Sequence, residues 1–132
     1  MEQKKTIIAV DNDDLHLNLM RHIIARLPGL VFVGINEETL FLDYMNGVEQ
    51  GVHPMPASVF IDINLPSMFG FELVARVREN PVFATKPRLV LLSGFLDRKR
   101  AVLAMKCGAD AVEEKPLEIQ QWEAMIKRSI GE

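Results

Sequence analysis

Five short apolar runs alternate with five longer stretches of helical periodicity, which predicts an α/β protein whose parallel sheet carries helices on both faces. Two of the runs, Ile7-Ile8-Ala9-Val10 and Ser58-Val59-Phe60-Ile61, lack the alternation of a half-exposed strand and read as strands buried on both sides. Both stop at acidic residues: Asp11-Asn12-Asp13-Asp14 after the first, Asp62 after the second. Ligands of an open parallel sheet sit beyond the carboxyl ends of its strands, so these acids are expected to meet in one cleft. Clustered carboxylates repel one another unless a cation intervenes, and hard oxygen donors suit Mg2+.

The first strand is predicted over Thr6–Val10, followed by a helix with Leu15, Leu19, Ile23 and Leu27 on one face. Asp13 or Asp14 supplies the N-cap, and Pro28-Gly29 stops the helix. Leu30–Ile35 is the second strand, and Glu37–Val48 the second helix, with Phe41, Tyr44, Met45 and Val48 turned inward. The Gly- and Pro-containing stretch Asn46–Pro56 is expected to be the least ordered. Ala57–Ile61 forms the third strand, and Gly70–Glu79 the third helix, which buries Leu73, Val74 and Val77 and ends before Pro81. Arg88–Leu92 is the fourth strand and Asp97–Cys107 the fourth helix, closed by Gly108. A short fifth strand, Ala111–Glu113, precedes a last helix over Glu118–Ile130 with Ile119, Trp122, Ile126 and Ile130 along one side.

A chain of 132 residues, 48% hydrophobic and 25% charged, suits one domain with a single core, and 1–132 is read as that domain with no output domain after it. The net charge of −3 argues against a direct nucleic-acid binder, which would show a basic domain. A lone cysteine, Cys107, excludes an internal disulfide framework and is expected to pack as a small buried hydrophobe. No apolar run approaches the ~20 residues of a membrane span. Charges follow Met1 too quickly for a signal peptide, so a cytoplasmic location is expected.

At the predicted carboxyl ends of strands one, three, four and five stand Asp11 and Asn12, Asp62, Ser93, and Lys115. A carboxylate, a cation site, a hydroxyl donor and an ammonium around one point are what a phosphoryl group requires. Asp62 is the candidate nucleophile, forming an acyl phosphate; no general base is needed, because a carboxylate is already ionised at neutral pH.

In five stretches taken in order, the chain resembles the receiver domain of two-component response regulators: Val10-Asp11-Asn12-Asp13, Asp62 through Leu73, Leu91-Leu92-Ser93-Gly94, Gly108-Ala109-Asp110 and Lys115-Pro116. The resemblance spans nearly the whole chain and implies a doubly wound (βα)5 sheet in flavodoxin-like order 2-1-3-4-5. It implies Asp62 as phosphoacceptor, with Mg2+ held by Asp11, Asn12, Asp62 and the backbone carbonyl of Asn64. It further implies Pro66 and Gly70 as loop-shaping residues, Ser93 and Gly94 as the switch, Lys115 as the phosphate partner and a cis Lys115–Pro116 bond. The implied partners are a sensor histidine kinase or histidine phosphotransfer protein and a downstream protein effector. The face made by the fourth helix, fifth strand and fifth helix would carry the signal, and a homodimer through that face has no distinct sequence signature. The phosphoryl lifetime is expected to depend on the side chains of Asn64 and Phe95.

Two departures stand out. Asn12 occupies a position that is usually acidic, so one ligand brings no charge and metal affinity should fall; the register of Asp13 points it away from compensating. Val112 stands where many receivers carry an aromatic that reports the switch, so output should be altered or weak. Together they motivate an alternative: a degenerate receiver that binds partners without phosphorylation. A third reading takes Asp11-Asn12-Asp13 as the Asp-x-Asp of a haloacid-dehalogenase-type phosphatase, against which stand Leu15, the missing late metal motif and the absence of length for a cap domain. His16, His22 and His53 lack metal spacing and are read as structural or exposed, and Arg98-Lys99-Arg100 as a solvated helix start or a partner contact.

Overall fold

The computed structural model describes residues 4–131. Its strands are β1 (Lys5–Val10), β2 (Leu30–Ile35), β3 (Ser58–Asp62), β4 (Arg88–Ser93) and β5 (Ala111–Glu114). Between and after them run α1 (Asp14–Ala25), α2 (Glu38–Glu49), α3 (Gly70–Glu79), α4 (Arg98–Cys107) and α5 (Ile119–Ser129), with a 3-10 turn at Pro81–Phe83. All strand pairs are parallel and the order is β2-β1-β3-β4-β5, so the expected doubly wound, flavodoxin-like sheet is present.

Strand side chains alternate between two cores, as the period of two demands. Ile8, Val10, Val59, Ile61, Leu89 and Leu91 pack beneath α2, α3 and α4. Ile7, Ala9, Phe60, Val90 and Leu92 pack beneath α1 and α5 with Met20, Ile24, Trp122 and Ile126. Phe60 and Ile61 are fully buried on opposite faces of the same strand, and each such side chain contributes roughly 1.5–3 kcal/mol of transfer free energy. The middles of the central strands are apolar because both of their faces are covered.

The helix faces depart from expectation in two places. In α1 the buried residues are Leu17, Met20, Ile23 and Ile24, whereas Leu15 is 78% exposed and Leu27 lies beyond the helix. A row of every fourth residue turns by about 40° per step on a helix of 3.6 residues per turn, so it cannot follow one contact line. In α5 Trp122 and Ile126 are buried as expected, joined by Met125 and Ser129, while Ile119 in the first turn is exposed and Ile130 is partly buried.

Residues 46–49, where the expected helix to Val48 and the expected loose stretch from Asn46 overlap, are the last turn of α2. The following turn is closed by N–H groups of Val52 and His53 donating to Gly47 O at 2.8 and 3.2 Å, and the His53 ring stacks on Tyr44 at 4.0 Å. Gly108 caps α4 in the left-handed conformation, φ 104°, as its position after Cys107 predicted. Cys107 is partly rather than fully buried; its Sγ donates to Ala104 O at 3.1 Å, and burial pushes the thiol pKa up. The cis X-Pro bond falls at Lys86–Pro87 and not at Lys115–Pro116. With its bond to Pro116 trans, Lys115 still pairs its N–H with Ser93 O at 2.7 Å, and Pro116 O accepts from Trp122 Nε1 at 3.0 Å. No helix among the described residues is long and apolar enough to cross a membrane.

Candidate functional site

Parallel register brings the strand ends together. Val10 pairs with Ile61, Asp62 with Leu92, and Ser93 with Glu114, so Asp11, Asp62, Ser93 and Lys115 emerge at one edge of the sheet. Asp11 and Asp62 are 3% and 5% exposed, and Lys115 reaches between them. Its Nζ lies 3.0 Å from Asp11 Oδ2 and 3.2 Å from Asp62 Oδ2. One ammonium thus bridges two nearly buried carboxylates that would otherwise repel.

Backbone donors fix the remaining carboxylate oxygens. Asp11 Oδ1 accepts the Asp13 N–H at 2.9 Å, and Asp62 Oδ1 accepts the Asn64 N–H at 3.0 Å. Burial is the largest influence on Asp62 and raises its pKa, and the Asp11 charge adds to the rise. The Asn64 N–H and the Lys115 ammonium pull the other way without cancelling it.

The loop after Asp62 is folded tightly. Gly70 N–H donates to Ile63 O at 2.7 Å, and Asn64 bridges to Phe69. A Cβ on Gly70 would lie 2.4 Å from Asp62 O and 3.0 Å from Ile63 Cα, so only glycine fits there. Glu38, 1% exposed at the first turn of α2, accepts the Ser67 N–H at 2.6 Å and ties this loop to its neighbour.

The other expected site residues stand nearby without joining the trio. Ser93 is buried, but its Oγ donates to Phe95 O and accepts the Phe95 N–H at 3.2 Å, so the hydroxyl faces the following loop and not the acids. Gly94 is exposed, with nothing within 4 Å of where its Cβ would be. Asn12 and Asn64 are exposed at the rim of the cleft. Val112, partly buried on β5, packs against the core under α4. Asp13 is the N-cap of α1, accepting the Leu15 N–H at 2.9 Å, which leaves it a structural partner rather than a second reacting acid. Arg98 and Lys99 are exposed, while Arg100 pairs with Asp97 at 2.8 Å.

Three contacts at the cleft involve residues that the sequence did not single out for it. His16 Nδ1 lies 3.0 Å from Lys115 Nζ, Glu38 holds the Ser67 N–H, and Glu114 Oε1 accepts the Leu96 N–H at 3.1 Å. His16 sits in the first turn of a helix springing from Asp11-Asn12-Asp13, a placement visible in the sequence, whereas its spacing from the other histidines carries no signal.

The candidate metal donors are the carboxylates of Asp11 and Asp62, the Asn12 amide oxygen and the Asn64 carbonyl. Among the described residues, no three or more His, Cys, Asp or Glu side chains gather as a metal cluster. The donor set is all oxygen, which fits a hard divalent cation, but it carries one formal charge fewer than an acidic pair would supply.

A family model described as the response regulator receiver domain matches residues 7–127. The chain is 26% identical over 121 residues to the nitrate/nitrite response regulator protein NarL of Escherichia coli, covering 89% of this chain and 50% of that protein. It covers 14% of the 3',5'-cyclic-nucleotide phosphodiesterase regA of Dictyostelium discoideum, at 25% identity over 114 residues and 86% of this chain. The chain therefore spans half or less of the length of these curated relatives. The phosphorylated cyanobacterial phytochrome response regulator RcpA superposes with a TM-score of 0.81 at 18% identity, covering 95% of this chain and 90% of that one. The Mn2+-bound form of response regulator Rcp1 superposes with a TM-score of 0.78 at 16% identity, covering 94% and 90%. At these identities the structural likeness establishes the fold.

Proposed function

The chain belongs to the response regulator receiver domain family, and from that premise we propose that Asp62 is its phosphoacceptor. The observation that carries the proposal is Lys115 Nζ standing between Asp11 and Asp62 at 3.0 and 3.2 Å. It places a fixed positive charge where a phosphoryl group on Asp62 would develop negative charge. A carboxylate oxygen of Asp62 attacks the phosphorus of a phosphohistidine on a sensor kinase or phosphotransfer protein. The P–N bond breaks, its electron pair returns to the imidazole, and an acyl phosphate remains on Asp62.

Asp11, Asn12, Asp62 and the Asn64 carbonyl would hold Mg2+, which when bound neutralises charge on the transferring oxygens. The Mn2+ of Rcp1 and the phosphorylated state of RcpA, both in proteins of this fold, support the two assignments. Ser93 has a defined job: its hydroxyl leaves the Phe95 carbonyl and donates to a phosphoryl oxygen, which frees the segment Gly94–Arg98. The face of α4, β5 and α5 then changes for a protein effector, a two-state equilibrium biased by one local charge. In this reading the chain is a signalling domain that acts in the cytoplasm and performs no chemistry beyond gaining and losing its own phosphoryl group.

Incubation with acetyl phosphate and Mg2+, read by intact-protein mass, tests the assignment. One phosphoryl adduct is expected, and Asp62→Ala should abolish it. A folded wild-type protein that takes up no phosphoryl at any Mg2+ concentration would overturn it in favour of phosphorylation-independent binding.

A further inference from the structure

We propose that Arg78 is the fixed pivot of α4, about which the N-terminal end of this helix swings when Asp62 is phosphorylated. The proposal rests on the reading that a phosphoryl group on Asp62 frees the segment Gly94–Arg98, and it identifies the end of α4 that does not follow. Helices α1, α2, α3 and α5 each bury four residues, whereas α4 buries Ala104 alone. A helix with so little buried face is positioned by what holds its two ends.

The C-terminal end is held rigidly. From the last turn of α3, Arg78 directs four of its five N–H donors to fixed acceptors. Nε donates to Gly108 O at 3.1 Å, Nη1 to Phe83 O and Pro87 O at 3.1 and 2.9 Å, and Nη2 to Asp110 Oδ2 at 2.8 Å. Asp110 Oδ2 also accepts the Leu89 N–H at 2.8 Å, and the Asp110 N–H donates to Leu89 O at 2.8 Å. The cap of α4, the start of β4 and the end of α3 thus meet on one planar group. A Cβ on Gly108 would lie 3.0 Å from Arg78 Cγ, so the arginine stem packs against the cap itself.

The N-terminal end is held differently. Asp97 caps it by accepting the Arg100 N–H at 2.8 Å, a bond that travels with the helix. The segment leading into it is tied by the Ser93 hydroxyl on Phe95 and by the Leu96 N–H on Glu114 Oε1 at 3.1 Å. The first of these ties is the one a phosphoryl group would take away. Arg78 lies at the far end of a ten-residue helix, about 15 Å distant, and keeps all of its acceptors. Displacement is then greatest near Lys99 and Val102 and vanishes at Cys107, so the surface that changes for an effector is the N-terminal half of α4.

Amide hydrogen exchange read residue by residue tests this. Arg78→Met keeps an apolar stem beside Gly108 and removes every donor. In the unphosphorylated protein it should speed exchange at Gly108, Ala109 and Asp110 by about tenfold or more, the scale of one hydrogen bond to a charged group. That rise should exceed any rise at Ile61 and Leu91, whose buried amides report global opening. Arg78→Lys keeps a charge for Asp110 without the planar fork, should give a smaller rise at the same amides, and serves if Arg78→Met does not fold. After treatment of the wild type with acetyl phosphate and Mg2+, exchange should change across Leu96–Ala101 and stay constant across Gly108–Asp110; in the variant the change should spread to both ends. A rise at Gly108–Asp110 no larger than that at Ile61 and Leu91 would reduce Arg78 to a stability residue. A phosphorylated wild type whose Gly108–Asp110 amides change as much as Leu96 would also overturn the pivot, with Asp62 still the phosphoacceptor. A wild type that takes up no phosphoryl group overturns the Asp62 reading and with it the swing.

Discussion

Ser93 and Phe95 are locked together: the Ser93 hydroxyl donates to the Phe95 carbonyl and receives the Phe95 N–H at 3.2 Å. The Ser93 hydroxyl is thus committed to its own loop, and under the proposed phosphorylation of Asp62 it would have to leave that loop to reach the phosphoryl group. Ser93→Ala should leave phosphoryl uptake at Asp62 within a few-fold of wild type. It should also remove the coupling, so that amide exchange across Gly94–Arg98 no longer changes when the protein is phosphorylated. A Ser93→Ala protein whose loop responds like wild type would remove Ser93 from the switch.

In the proposed metal site, Asn12 is the side-chain donor that brings no charge. At an effective dielectric of ~20, a unit charge ~4 Å from a cation is worth about 4 kcal/mol before desolvation, and the net effect is smaller. Asn12→Asp should tighten Mg2+ binding by about tenfold or more, equivalent to ~1.4 kcal/mol, measured by titration of Trp122 fluorescence. Unchanged affinity would remove position 12 from the metal site.

Much of this arrangement is legible in the sequence, because it is written in local signals. Strand ends are marked where β-branched runs meet Asp11, Asp62 and Ser93, and parallel register does the rest. Gly70 and Gly108 mark their own backbone requirements. The contacts that escaped are long-range side-chain contacts. His16 and Lys115 are 99 residues apart, Glu38 and Ser67 are 29 apart, and no periodicity links either pair. The rotamer of Ser93 was equally hidden, since a hydroxyl bonds to whichever partner the folded loop presents. The face of α1 differs from a four-residue row because helical drift carries such a row off the core, leaving Leu15 exposed.

Asp62 shapes stability against pH. Burial raises its pKa, with the Asp11 charge adding to the rise. An acid with a folded pKa above its unfolded value holds its proton more tightly in the native state. Its contribution to stability is therefore fully present below the unfolded pKa and is lost as pH rises through the folded one. At neutral pH the ionised, buried Asp62 is a cost, so Asp62→Asn should stabilise the fold by about 1 kcal/mol in urea denaturation. That gain should shrink as pH falls through the raised folded pKa and be gone by about pH 4, the range of an unfolded aspartate. An Asn variant less stable than wild type at pH 7 would contradict the assigned direction. By the same sign, phosphoryl uptake should weaken on acidification at a higher pH than an ordinary aspartate would show.

Glu38 anchors the loop that carries Asn64. Its side chain is almost wholly buried, and its hydrogen bond to the Ser67 N–H at 2.6 Å joins α2 to the segment between Asp62 and α3. Glu38→Ala leaves that N–H without its partner and should cost about 1–3 kcal/mol in urea denaturation. Glu38→Gln keeps an acceptor oxygen and should lose less. Because the same segment sets the Asn64 carbonyl, Glu38→Ala should also weaken Mg2+ binding, whereas a substitution at the exposed Leu40 on the same helix should not. Equal Mg2+ affinity in Glu38→Ala and wild type would confine Glu38 to stability. A parallel loss of affinity and stability, with Gln intermediate in both, is the outcome the geometry requires.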